Sequence, residues 1–274
     1  MLSNYRMIVL DLDGTLTNAK KEITPRTKEA LMEAQHRGVR VVLASGRPTY
    51  GIMPLAEELR LSEHGGYILA FNGGRIVDCT TGKVVFEQQL NPQLVPQLYK
   101  AAMQAGMQIL TYQGEAIAAT DKDDEYVRQE AFINKMPVIQ YNDFLAQIEY
   151  PINKCLIVGS PAPLHELELH LAQELKGKLE VYRSADFFLE CVPLGIDKAR
   201  SLERLLAVTG LQREQMMACG DGYNDLSMIR LAGLGVAMEN AADEVKAAAD
   251  FITASNEADG VGRAVERWIL GEQH

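Results

Sequence analysis

The chain has 274 residues, enough for one large domain or two modest ones, with 47% hydrophobic and 23% charged residues, an ordinary globular composition. The formal net charge of −10 argues against a general nucleic-acid binder but leaves room for a small anion held by a few local cations. No apolar run approaches the ~20 residues of a membrane span, and the start runs into a strand with no room for a signal peptide, so a cytoplasmic protein is expected.

The first predicted strand, 7–12, holds the apolar run Met7-Ile8-Val9-Leu10 and leads into Asp11-Leu12-Asp13-Gly14-Thr15. Positions two apart in an extended chain share a face, so two carboxylates sit together at the end of a buried strand. Their repulsion asks for a compensating cation, Mg²⁺ by preference if phosphate is the other partner. The pair also offers a carboxylate nucleophile and a second carboxyl for acid–base work. An EF-hand-like reading of 11–22 fails because Leu16 stands where that loop needs glycine and a strand precedes it.

A helix is expected over 24–37, opened by Pro25 and stopped by Gly38. A strand over 39–44 ends at Ser45-Gly46-Arg47, a helix covers 50–59, and an apolar strand over 67–71 ends at Asn72-Gly73-Gly74. Alternation of this kind implies a doubly wound α/β core with a parallel sheet. The segment 84–188 breaks the pattern, because none of its strands ends in a cluster of carboxylate, glycine and hydroxyl. We read it as an inserted α+β domain, with the core made of 1–83 and 189–274. Alternation then resumes with a helix over 198–209, a strand at 216–219 running into Gly220-Asp221, further short elements, and a helix over 261–270. Cys79, Cys155, Cys191 and Cys219 form no C-x-x-C pair and read as free thiols.

The conspicuous residues all fall at strand ends or helix starts: Asp11 and Asp13, Ser45 and Gly46, Lys198, and Asp221 to Asp225. Open α/β sheets bind ligands at the carboxyl ends of their strands, so these pieces are expected to converge. Carboxylates, a lysine, a hydroxyl and glycine-freed amides suit a divalent cation plus a phosphoryl group.

The ordered set Asp11-Leu12-Asp13-Gly14-Thr15-Leu16, Leu43-Ala44-Ser45-Gly46-Arg47, Asn72-Gly73, Lys198 and Gly220-Asp221-Gly222-Tyr223-Asn224-Asp225 resembles the haloacid dehalogenase (HAD) superfamily, in its Cof-type phosphatase branch with a large C2-type cap. The resemblance covers essentially the whole chain and implies a Rossmann-like core and an Mg²⁺-dependent phosphatase working through an aspartyl-phosphate. It implies that Asp11 is the nucleophile and Asp13 the acid–base. Asp11, the backbone carbonyl of Asp13 and Asp221 would hold the metal, with Asp225 in or behind that shell. Leu12, Ser45, Gly46, Lys198 and Asn224 would bind phosphoryl oxygens. Arg47, Asn72, Gly73, Arg183 and Glu190 are candidates for the substrate side. The expected partner is a small phosphorylated metabolite, a sugar phosphate or a phosphorylated cofactor, with neither nucleic acid nor membrane involved; the oligomeric state is open. Asp197 departs from the pattern by setting a negative charge beside Lys198. A phosphomutase or other phosphotransferase of the superfamily is the alternative enzyme, and a non-catalytic phospholigand-binding regulator the alternative from another class. The retained Asp11, Asp13, Lys198 and Asp221 weigh against the latter.

Overall fold

The computed structural model describes residues 4–271. The chain divides into two compact units, cut between Phe86 and Glu87 and between Ile196 and Asp197. In chain order the first unit opens with β1 (Met7–Leu10), α1 (Pro25–His36), β2 (Arg40–Ala44), α2 (Thr49–Glu58), β3 (Tyr67–Ala70), β4 (Arg75–Asp78) and β5 (Val84–Glu87). The second unit carries α3 (Val95–Gln104), β6 (Gln108–Gln113), β7 (Ala116–Ala119), α4 (Glu125–Asn134), β8 (Val138–Gln140), α5 (Phe144–Gln147), β9 (Cys155–Val158), α6 (Pro161–Glu174), β10 (Leu179–Ala185) and β11 (Phe188–Pro193). The chain then returns through α7 (Lys198–Thr209), β12 (Met216–Gly220), α8 (Leu226–Leu231), β13 (Leu234–Ala237), α9 (Asp243–Ala248), β14 (Phe251–Ile252) and α10 (Gly260–Val265), which runs on as a wider π turn over Glu266–Leu270.

The first sheet has the order β14-β13-β12-β1-β2-β3-β4-β5, and its strands from β14 through β3 are parallel. β4 turns back antiparallel on β3, so the all-parallel sheet expected from alternation becomes mixed at one edge. β1 is buried on both faces, which is why its sequence is a continuous apolar run. Met7, Val9, Val42, Ala44 and Leu69 share one core with Leu202 and Leu205 of α7 and Met228 of α8. β1 lies between β2, reached by the early crossovers, and β12, reached only after the second unit. The winding direction reverses there, and such a switch point opens a crevice at the strands' carboxyl ends.

The second sheet has the order β10-β11-β9-β6-β7-β8 and is antiparallel except for β7 against β8. Ile109, Ala118, Cys155, Ile157, Leu189 and Cys191 share a core with Leu98 and Ala102 of α3 and Leu164 and Leu171 of α6. The expected boundaries at 83/84 and 188/189 therefore move. β5 belongs to the edge of the first sheet, and β11 pairs with β9 and β10 in the second. The apolar run of β11 reads like a core strand, and only its pairing reveals its sheet. Cys155, Cys191 and Cys219 are buried and, like Cys79, free. No described helix is long and apolar enough to cross a membrane.

Candidate active site

The carboxyl ends of β1, β2, β3 and β12 bring together Asp11, Ser45, the turn Phe71–Gly73 and Asp221. The chain leaves β1 in a tight loop whose backbone closes on itself: Leu12 O accepts from Thr17 N at 2.9 Å and Asp11 O from Leu16 N at 3.2 Å. Gly14 sits at φ +84°, and a Cβ there would lie 2.2 Å from Asp221 Oδ2. Glycine is thus required twice over, for the left-handed backbone and for the close approach of the two loops. Thr15 Oγ1 completes that approach by donating to Asp221 Oδ1 at 2.7 Å.

Asp11, Asp221 and Asp225 each offer a carboxylate oxygen within 4.8 Å of the others. Lys198, the first residue of α7, is buried and spends all three ammonium protons here. They reach Asp11 Oδ1 at 2.7 Å, Asp225 Oδ1 at 2.6 Å and Ala44 O at 2.9 Å. Asp225 is fully buried, and its second oxygen accepts the backbone N–H groups of Asp221 and Gly222 at 3.0 and 2.9 Å. Asp225 thus shapes the loop and orients the lysine, which goes beyond the helix-capping role its position alone suggests.

Three carboxylates face one ammonium. Burial, then the charge of Asp225, with Asp221 adding to them against Lys198, lifts the Asp11 carboxyl well above the usual range. Burial likewise lifts Asp221 to about 6. Burial alone would lower Lys198, but Asp11 and Asp225 outweigh it and hold the ammonium protonated. The donor set fits a hard divalent cation: hard oxygens, close together, with a surplus of negative charge.

The Asp13 carboxylate points elsewhere. Arg47 grips it with two parallel hydrogen bonds, Nε to Oδ2 at 2.8 Å and Nη2 to Oδ1 at 2.5 Å, and Lys21 Nζ adds a third at 2.6 Å. Burial favours the neutral acid, yet the two cations prevail and hold Asp13 below its ordinary range. Arg47, a candidate for the substrate, is thus engaged by Asp13. Ser45 is buried, its Oγ accepting from Arg47 N at 3.2 Å, and Gly46 packs close to the Asn72 amide. Asn224 Nδ2 donates to Asn72 Oδ1 at 3.0 Å, and Gly73 O accepts from Ser201 Oγ at 2.7 Å. Asp197 caps α7 by accepting from Arg200 N at 3.1 Å, so its charge serves the helix N-terminus.

Arg183 and Glu190 lie in the second unit and are engaged there. Arg183 Nε binds Glu168 at 2.8 Å, while Glu190 takes Lys154 Nζ at 2.8 Å and Ser184 Oγ at 2.9 Å. Both candidates for the substrate side are thus paired within the second unit. Sequence reasoning missed Lys21, Thr15 and the Asp225–Lys198 contact. Nothing in the local sequence signals a partner 206 positions away, as for Thr15 and Asp221.

A family model described as haloacid dehalogenase-like hydrolase matches residues 8–265. The 5-amino-6-(5-phospho-D-ribitylamino)uracil phosphatase YcsE of Bacillus subtilis (strain 168) is 31% identical over 269 residues, covering 97% of both chains. A crystal structure of a haloacid dehalogenase-like hydrolase from Bacteroides thetaiotaomicron is 54% identical, covers 96% of this chain and 99% of its own, and superposes with a TM-score of 0.94. TM0651 from Thermotoga maritima is 28% identical, with 96% and 97% covered and a TM-score of 0.85. These likenesses, with the carboxylate site at the strand ends, make the protein a phosphoric monoester hydrolase for small phosphorylated substrates. Family model and relatives agree across both units: the chain belongs to the haloacid dehalogenase-like hydrolases.

Proposed function

We propose that the protein is an Mg²⁺-dependent phosphatase that transfers the phosphoryl group of a small ester to Asp11 and then to water. The observation that carries this reading is the surplus of carboxylate against one lysine, buried at Asp11 and Asp225 and half-buried at Asp221. Asp11 and Asp221 would hold the cation, which would supply charge neutralisation when bound. Both oxygens of Asp225 serve Lys198 and the 221–222 backbone, so Asp225 would position the lysine and the loop rather than ligate the metal directly. The backbone carbonyl of Asp13 would be the remaining protein ligand, by resemblance.

Asp11 attacks phosphorus from the β1 end, where the loop backbone and Lys198 fix its carboxylate. Ser45, Asn224 and the amides of Leu12 and Gly46 receive the equatorial oxygens, joined by Lys198 once its ammonium gives up one of its three present acceptors, which suits a transition state whose charge is spread over them. Asp13 must carry a proton when the ester binds; it gives that proton to the leaving alcohol and regains one from the attacking water. The Arg47 and Lys21 contacts favour its carboxylate form, the form the second step needs. A sugar phosphate or a phosphorylated cofactor is the proposed substrate class, with the second unit setting which ester is accepted, in a cytoplasmic setting.

Phosphate release from a panel of phosphorylated sugars and cofactors tests this, measured with Mg²⁺, with EDTA, and with Asp11→Asn. Turnover that needs Mg²⁺ and vanishes in Asp11→Asn is expected. Full activity in EDTA removes the metal reading, and full activity in Asp11→Asn removes the nucleophile.

A further inference from the structure

β3 does not simply end. Phe71, Asn72 and Gly73 follow it with φ of 54°, 55° and 100°, three consecutive left-handed residues. Asparagine visits that region at modest cost, but a buried phenylalanine rarely does. Strain of this kind persists only where the surroundings hold it, and it gathers at functional sites.

Each residue of the turn is tied to a different part of the site. Phe71 N donates to Arg47 O at 3.0 Å and Asn72 N to Ser45 O at 2.9 Å, so two consecutive amides fasten the Ser45–Arg47 loop. A Cβ on Gly46 would stand 3.3 Å from Asn72 Nδ2, which keeps that loop close against the Asn72 side chain. Asn72 Oδ1 accepts from Asn224 Nδ2 at 3.0 Å, across 152 positions of sequence. Gly73 O accepts from Ser201 Oγ in the first turn of α7, and a Cβ on Gly73 would meet that hydroxyl at 2.6 Å and Asp197 O at 3.0 Å. The same helical turn begins with Lys198.

We propose that Phe71–Gly73 is a bracket that sets the relative placement of Ser45, Lys198 and Asn224, and that Asn72 is its positioning residue, acting on the phosphoryl group through the Asn224 carboxamide. Asparagine combines a backbone that accepts the left-handed turn with an acceptor oxygen that fixes Asn224. A residue present for the turn alone would need only the first property. The proposal rests on the reading of Asn224 as a phosphoryl ligand.

Asn72→Gly separates the two properties, because glycine keeps the left-handed turn and removes only the carboxamide. The expected result is a loss of about 10- to 10²-fold in kcat, the scale of a small misplacement, with KM changed far less and the melting temperature near that of the parent. In an Asn224→Ala background the same change has no further effect on kcat, since there is no carboxamide left to position. Asn72→Gly with parental kcat beside an impaired Asn224→Ala overturns the bracket alone. Losses that multiply in the double variant also overturn it. Asn224→Ala with parental kcat and KM overturns the phosphoryl-ligand reading itself, and the proposal with it.

Discussion

Each unit buries a cluster of charge, and the two clusters are built to opposite ends. In the second unit Lys154 pairs with Glu190 at 2.8 Å, while Glu130 accepts from Tyr112 Oη at 2.5 Å and from Asn134 Nδ2 at 2.7 Å. Burial pushes the Glu130 carboxyl up, against the pull of Lys154, so that cluster tends toward neutrality. Its members lie on or beside the strands and helix they join. In the first unit the carboxylates sit on loops beyond the strand ends and outnumber their one ammonium. A buried cluster that balances itself fastens secondary structure, whereas one that cannot is completed from outside.

The sharpest break between the two comes from removing a charge. Asp11→Asn is expected to lower kcat/KM by on the order of 10⁴-fold or more. The same change relieves repulsion, so the cation-free protein melts no lower than the parent; a large fall in melting temperature would show that Asp11 is structural. Lys154→Met has the reverse signature. It leaves Glu190 buried without its cation and costs about 3–5 kcal/mol of stability, with Lys154→Met/Glu190→Leu recovering most of it. Denaturant unfolding measures both, and a double variant no more stable than the single one contradicts the self-balanced reading.

Acidity separates the clusters next. An Asp side chain unfolds to a pKa of about 3.9, and folding lifts Asp221 to about 6, with Asp11 raised too. Between those values the folded state binds more protons than the unfolded, so cation-free stability falls as pH rises from about 4 through 6. On the proposed reading Mg²⁺ is expected to reverse the trend, because it would take the place of the protons. Melting curves at pH 5.5 and 7.5 should therefore show the larger Mg²⁺ stabilisation at 7.5, with the difference flattened in Asp221→Asn. An equal Mg²⁺ effect at both values rules out those carboxylates as its site.

The smallest expected effect concerns helix caps. Asp124 caps α4 and Asp197 caps α7, each through its own carboxylate. Replacing either by alanine costs about 1 kcal/mol. Only Asp197→Ala should also lower kcat, since its helix begins with Lys198; equal kinetics for the two variants would uncouple α7 from the site.

Much of this site was legible before folding. A run such as Met7-Ile8-Val9-Leu10 that ends in two carboxylates and a glycine announces a buried strand with chemistry at its tip. Ser45, Lys198 and Asp221 stand at comparable boundaries, and α/β alternation implies that such boundaries share one edge. Less legible were β11, whose apolar residues suit either sheet, and β4, which folds back where alternation predicts a crossover. The second unit gave little because its charged groups satisfy one another across the fold. Glu190 finds Lys154 across 36 positions, and Arg183 finds Glu168 across 15.

The amino-acid sequence by itself determined the layered α/β class, the order of the strand-end motifs and the surplus of carboxylate that calls for a cation. These follow from periodicity, glycine placement and charge, which are local properties. Only the tertiary structure decided that Asp13 faces Arg47 and Lys21, that Lys198 spends its protons on Asp11, Asp225 and Ala44, and that Asn72 holds Asn224. A side chain's partner depends on which donor and acceptor atoms the fold brings within about 3 Å, the reach of a hydrogen bond, and that is set by packing of the whole sheet and its helices.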